Sequence, residues 1–122
     1  MLQGEEIIRA YFAAWNQNDP KIRRMLLERC CAEDAVILIG GRQISGRTEI
    51  DVSIARFRRD CPDDVGELTS GIDMVGNWCC FTARVVRPDG TSYSEFLDVV
   101  EIGTDCRIVR VLTFTGTNPR LD

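Results

Sequence analysis

The chain has no histidine among its 122 residues. A Cys–His nucleophile pair or a His–Asp relay therefore cannot be built from its own side chains, and a structural zinc site loses its commonest nitrogen ligand. Cys-x-x-Cys spacing is missing, as is any Gly-rich phosphate loop, so no metal or cofactor is expected. No run approaches the 18 or more apolar residues of a membrane span. Residues Met1 to Glu6 lack a basic segment leading into an apolar one, so no leader peptide and no membrane contact are expected, and a cytoplasmic setting follows. Excess positive charge is absent too: 15 basic side chains face 19 acidic ones, for a net charge of −4. A nucleic-acid binder needs the opposite balance to displace phosphate counterions. The one basic cluster, Arg56, Arg58 and Arg59, runs into Asp60, Asp63 and Asp64 and reads as a solvated helix end.

What is present suits one globular domain spanning residues 1–122. Apolar residues make up 44% and charged residues 28%, an ordinary balance for a chain with a single core. Six cysteines fall at Cys30, Cys31, Cys61, Cys79, Cys80 and Cys106, mostly inside apolar segments. In a reducing compartment they read as buried free thiols.

Helical spacing joins Ile7, Ile8, Tyr11, Phe12 and Trp15, predicting a helix over about residues 5–16. Asp19-Pro20 combines an N-cap with a residue suited to the first helical position and starts a second helix over 20–30. Its buried face is expected at Ile22, Met25 and Leu26, with Lys21, Arg23 and Arg24 turned outward. Strands over 35–39 and 42–45 flank Gly40-Gly41 as a hairpin. A third helix over 47–60 carries Ile50, Ile54 and Phe57. Long strands over 66–75, 77–87, 91–102 and 106–115 form a meander, and residues 118–122 read as a tail. The fold class expected is α+β: a cone-shaped, curved antiparallel or mixed sheet packed against three helices of the N-terminal half. Both faces of the last strand are apolar, with Val109, Val111, Thr113 and Thr115 on one side and Ile108, Leu112 and Phe114 on the other. A homodimer through the outer face of the sheet is the simplest cover for the second set.

Three stretches carry a family resemblance. Tyr11-Phe12-Ala13-Ala14-Trp15-Asn16-Gln17-Asn18-Asp19, Ile44-Ser45-Gly46-Arg47-Thr48-Glu49-Ile50, and Leu97-Asp98 followed by Cys106-Arg107-Ile108-Val109 occur in the order found in the nuclear-transport-factor-2-like superfamily. The chain resembles its SnoaL-like polyketide-cyclase and ketosteroid-isomerase branches from about Ile7 to Gly116. That resemblance implies a cystatin-like cone around an apolar pocket. Fold alone does not give function, because this superfamily hosts many chemistries and many pure binders.

The resemblance also assigns candidate chemistry. Tyr11 stands where ketosteroid isomerases keep a tyrosine that donates to a substrate oxyanion. Asp98 stands where they keep an aspartic acid held neutral by apolar surroundings. Independently of the resemblance, Asp98 lies in an apolar run, in register with Ser94, Phe96 and Val100. On an inward face its carboxyl is desolvated and its pKa rises. The alternative is a structural carboxylate paired with Arg84 or Arg110, and for Tyr11 a core phenol capped by a backbone carbonyl. The position matching the isomerases' proton-abstracting carboxylate falls at about Ile39. Expected pocket walls are Trp15, Ile39, Ile54, Phe57, Phe81, Phe96, Val100, Val111 and Thr113. Two functional classes stay open. One is a cofactor-free isomerase, cyclase or hydrolase for an apolar carbonyl or epoxide compound. The other is a non-catalytic carrier of an apolar metabolite, or an interaction module using the sheet's outer face.

Overall fold

The computed structural model describes residues 3–116; the expected tail at 118–122 lies outside them. Three helices, α1 (Gly4–Trp15), α2 (Pro20–Cys30) and α3 (Arg47–Asp60), pack on a seven-stranded mixed sheet that does not close. The strands are β1 (Cys31–Ile39), β2 (Arg42–Ser45), β3 (Val65–Leu68), β4 (Asp73–Val75), β5 (Trp78–Val86), β6 (Ser92–Ile102) and β7 (Ile108–Thr115). Their order is β2-β1-β7-β6-β5-β3, with β4 also paired to β5. Only β1 and β7 run parallel; every other pairing is antiparallel.

The expected strand over 66–75 is two strands. Residues Thr69 to Ile72 bulge away because the Ser70 hydroxyl takes the Thr82 backbone N–H at 2.8 Å, in place of a ladder carbonyl. β1 begins earlier than expected, directly at the end of α2, where Cys31 turns extended. Exposed Glu33 and Asp34 hide that stretch from a hydrophobicity reading. In β7 the alternation slips once. Glu101 pairs with Arg110 but Ile102 pairs with Ile108, so Val109 is the extra residue of a bulge. Ile108, expected on the outer face, is consequently buried with Val111.

Two arginines also sit where the sequence did not place them. In α2 the buried stripe is Arg23, Leu27 and Cys30, while Ile22 and Met25 are exposed. Arg23 enters the helix interface because Asp51 of α3 meets it at 2.7 Å and the Gln17 carbonyl accepts from it at 3.1 Å. Arg58, expected to be solvated, is buried and donates to the Asn18 side chain and to the carbonyls of Asp64, Trp15 and Pro62. It thereby ties the α1–α2 turn to the loop after α3. Satisfied donors make such burial tolerable; stripping one partner costs about 3–5 kcal/mol.

The core lies between α1 and the concave side of the sheet, with Ile7, Ile8, Ile50, Ile54, Phe81, Val100 and Val111 almost wholly buried. Its apolar side chains each contribute about 1.5–3 kcal/mol of burial. Asn16 ends α1 and clamps it to β3: its amide donates to the Gly66 carbonyl at 2.9 Å and accepts from the Gly66 N–H at 2.8 Å. That clamp sets the position of Phe12 and Trp15, the last apolar turn of α1. Among the described residues no helix is long and apolar enough to cross a membrane.

Candidate functional site

Between the helices and the open end of the sheet lies a cavity of about 460 Å³, within the range of about 300–1,000 Å³ usual for small-molecule sites. Two helices and four strands supply most of its lining. α1 supplies Tyr11, Phe12 and Trp15 at helical spacing, and α3 presents Ser53, Arg56, Phe57 and Asp60 at i, i+3, i+4 and i+7. β6 and β7 supply Phe96, Asp98, Thr113 and Thr115 from one face, as alternation requires. β1 and β2 add Ile37, Ile39, Arg42 and Ile44.

The floor is dry. Tyr11 and Asp98 are 5% and 2% exposed, although both border the cavity. Thr113, directly opposite on β7, donates its hydroxyl to Asp98 Oδ1 at 2.7 Å. Burial pushes the Asp98 carboxyl up to about 6, and the Thr113 hydrogen bond opposes that rise by favouring the charged form. A carboxyl raised that far exchanges its proton near neutral pH, whereas the isomerase resemblance implied a donor held neutral. It sits instead in the range of a general base. Burial, followed by the nearby Asp98 charge, holds the Tyr11 phenol well above its ordinary value, so it keeps its proton. Trp15 packs edge-on to that phenol, with ring centroids 6.4 Å apart. Its buried Nε1 has no partner in hydrogen-bond geometry among the described residues, yet the indole is near enough to favour the phenolate slightly. The pair is one donor and one acceptor.

Neither arginine considered as a partner for Asp98 reaches it. Arg84 pairs with Glu67 at 2.7 Å and Arg110 with Glu101 at 2.9 Å. The ladder places Glu101 and Arg110 opposite each other on the convex side of the sheet. Asp73 and Glu95 are exposed, as expected of strand charges.

Of the expected walls, Trp15, Ile39, Phe57, Phe96 and Thr113 border the cavity together with Tyr11 and Asp98. Ile54, Phe81, Val100 and Val111 do not; they are buried in the core beneath it. Strand parity was right for Phe81, Val100 and Val111, but helix contacts cover them. Phe12 packs edge-on to Phe81 at 5.6 Å, for example. Sequence reading passed over Arg42, Ile44, Ser53, Arg56 and Ser94. The α3 stripe could have been found by its spacing, and Arg42 by counting register across the Gly40-Gly41 turn from Ile39. Alternation did put Ser94 on the face of Asp98, though not as a wall; it borders the cavity from a bulge in which it adopts φ 51°, a conformation rare for a residue with a side chain. No group of three or more Cys, Asp or Glu side chains among the described residues is placed to hold a metal ion, and the six cysteines are free thiols.

No protein-family model and no curated protein matches this chain in sequence. Solved structures do. An isomerase candidate of the SnoaL-like family from Agrobacterium tumefaciens str. C58 is 32% identical, over 96% of this chain and 100% of that one, with a TM-score of 0.86. This chain belongs to the SnoaL-like family. A polyketide-cyclase candidate from Sinorhizobium meliloti shares the fold at 23% identity, over 88% of this chain and 93% of that one, with a TM-score of 0.69. A nuclear-transport-factor-2-like protein of unknown function from Exiguobacterium sp. 255-15 shares it at 13% identity, over 92% and 99%, with a TM-score of 0.70. The SnoaL-like chain thus has the fold of a nuclear-transport-factor-2-like protein, the superfamily that its motifs resemble.

Proposed function

We propose that this SnoaL-like chain is a cofactor-free isomerase or cyclase that removes a proton beside a carbonyl group of an apolar molecule. The observation that carries the reading is the placement of one proton acceptor and one proton donor on the same dry floor. The Asp98 carboxylate accepts the proton from the carbon beside the carbonyl. As the C–H electrons shift toward oxygen, the Tyr11 hydroxyl donates a hydrogen bond to the developing enolate, where a desolvated donor counts most. Returning the Asp98 proton to a different carbon completes an isomerisation. Attack of the carbanion on a second carbonyl, with the new alkoxide protonated, completes a cyclisation. A hydrolase with an arginine beside its carboxylate fits less well, because Arg84 and Arg110 are engaged elsewhere.

The test is proton exchange. Incubated in D2O with a panel of apolar β-diketones, the wild type should exchange α-protons faster than buffer, as read by NMR. Asp98→Asn should lose about 10²–10⁴-fold of that rate. Binding of the same diketones with no exchange by the wild type favours a carrier and sinks the enzyme.

We further propose that the convex face of the sheet is buried against a second copy, related by a two-fold axis. Leu38, Leu97, Val99, Leu112 and the half-exposed Phe114 form adjacent outward positions on β1, β7 and β6, a continuous apolar row suited to a self-complementary contact. Sedimentation equilibrium should show a dimer, and Leu112→Glu a monomer. A cytoplasmic location fits the free thiols.

A further inference from the structure

Most arginines among the described residues have a job. Arg9, Arg23, Arg59, Arg84, Arg107 and Arg110 are paired with carboxylates, and Arg47 and Arg58 donate to backbone carbonyls. Arg87 meets Thr91 and the Tyr93 ring, while Arg24, Arg29, Arg42 and Arg56 have no such partner; of these four, Arg42 and Arg56 differ in place. Both border the cavity, yet neither forms a hydrogen bond, ion pair or ring contact within the described residues. They approach it from opposite layers. Arg42 opens β2 and pairs in register with Ile39, a wall residue. Arg56 lies on the cavity-facing stripe of α3, one turn from Ser53 and Asp60. Two carboxylates border the same space. Asp60 is already met by Arg59 at 3.3 Å, and Asp98 is on the floor with Thr113. Neither of those carboxylates meets Arg42 or Arg56, whose charges stay unpaired among the described residues.

We infer that the ligand of this site is an elongated apolar molecule with an anionic group, a carboxylate or its equivalent, at the end opposite the reacting carbonyl, and that Arg42 and Arg56 receive that group at the cavity mouth. The inference rests on the reading of the cavity as a ligand site and adds the substrate class to it. The sheet supplies the spacing. Asp98, Thr113, Ile39 and Arg42 are successive neighbours across β6, β7, β1 and β2. Three inter-strand steps of about 4.8 Å give an arc of about 14 Å between the floor and the arginine. Between the ends the walls are Ile39, Phe57 and Phe96, which offer an apolar body contact and no charge. A planar guanidinium fork matches a carboxylate in two hydrogen bonds, so a pair of them at one rim selects for an anion and fixes which end of the molecule enters first. That orientation brings the uncharged end, with its carbonyl, to Tyr11 and Asp98.

Two fluorescent probes with the same apolar body separate the claims: anilinonaphthalene sulfonate, which is anionic, and phenylnaphthylamine, which lacks the sulfonate. The wild type should bind both, the anionic probe about tenfold more tightly at low ionic strength, and the preference should shrink in high salt. In the Arg42→Gln/Arg56→Gln double variant that preference should fall to within about twofold, while phenylnaphthylamine affinity is unchanged, which also reports an intact fold. An Arg42→Lys/Arg56→Lys variant should keep part of it. Ile39→Trp, which fills the cavity, should abolish binding of both. Equal affinities in the wild type, or a preference that survives the double glutamine variant, overturns the anion inference and leaves the cavity reading standing. Binding of neither probe, or indifference to Ile39→Trp, removes the ligand site itself and the inference with it.

Discussion

Asp98 and Thr113 face each other across β6 and β7 and meet at 2.7 Å on the concave side. Three residues further along β6, Glu101 meets Arg110 at 2.9 Å on the convex side. The two carboxylates share a strand, and each is hydrogen-bonded across to β7, but they do not share a medium. Asp98 is 2% exposed and its only partner among the described residues is a neutral hydroxyl; Arg110 is half exposed and carries a full opposite charge. Inside, burial leaves the carboxylate costly and poised to take a proton. Outside, water and a counter-charge leave it quiet. Chemistry in this sheet is decided by which face a residue occupies, more than by which residue it is.

Four experiments sharpen or break that contrast. The largest effect is kinetic: exchange by the wild type should fall as pH drops through about 6, the value at which Asp98 takes its proton. Tyr11→Phe should cost about 10²–10³-fold with the profile's midpoint kept nearly in place. A rate independent of pH between about 5 and about 7, one unit either side of that midpoint, would remove Asp98 as the base.

Next comes stability. A raised carboxyl pKa means that the folded chain holds the proton where the unfolded chain has released it. Stability therefore falls as pH rises from about 4 to about 6 and levels above. The displacement from 3.8 to about 6 corresponds to about 3 kcal/mol. Asp98→Asn, still able to accept from Thr113, should thus be more stable than the wild type by up to about 3 kcal/mol at pH 7 and equal to it below pH 4, by urea denaturation. A variant less stable at neutral pH contradicts the claim that burial controls this group.

Thr113→Val removes the opposing hydrogen bond. It should move the kinetic midpoint up by about one pH unit, a shift that a merely structural role for Thr113 does not produce. Smallest of all, Glu101→Gln and Arg110→Gln should each change stability by less than about 1 kcal/mol and leave exchange untouched. A large loss there would erase the difference between the faces.

Periodicity carried much of the architecture. The stripes of α1 and α3 and the turn at Gly40-Gly41 were legible because helix and strand periods show directly in the order of apolar residues. Alternation also put Asp98 on the same face as Phe96 and Val100. Reading stopped where a polar side chain supplies what a hydrophobic pattern cannot register. Arg23 and Arg58 are buried because distant acceptors satisfy them, and Ser70 breaks a strand by substituting for a carbonyl. The bulges at Val109 and Ser94 reset parity by one residue, and a one-residue slip exchanges the two faces of a strand. Pocket walls were hardest to assign. Phe81, Val100 and Val111 have the right parity, but helix packing determines which inward positions remain uncovered.

The residue order by itself determined three helices, a curled sheet and a carboxylate sharing a strand face with Phe96 and Val100, because those follow from local periods and from caps and turns a few residues long. Tertiary structure decided the rest: that Asp98 meets Thr113 and no arginine, that Tyr11 borders the same cavity, and that Arg42 and Arg56 border it from different layers. Those pairs are separated by many residues of chain, so only the bending of the sheet around the helices brings them within reach.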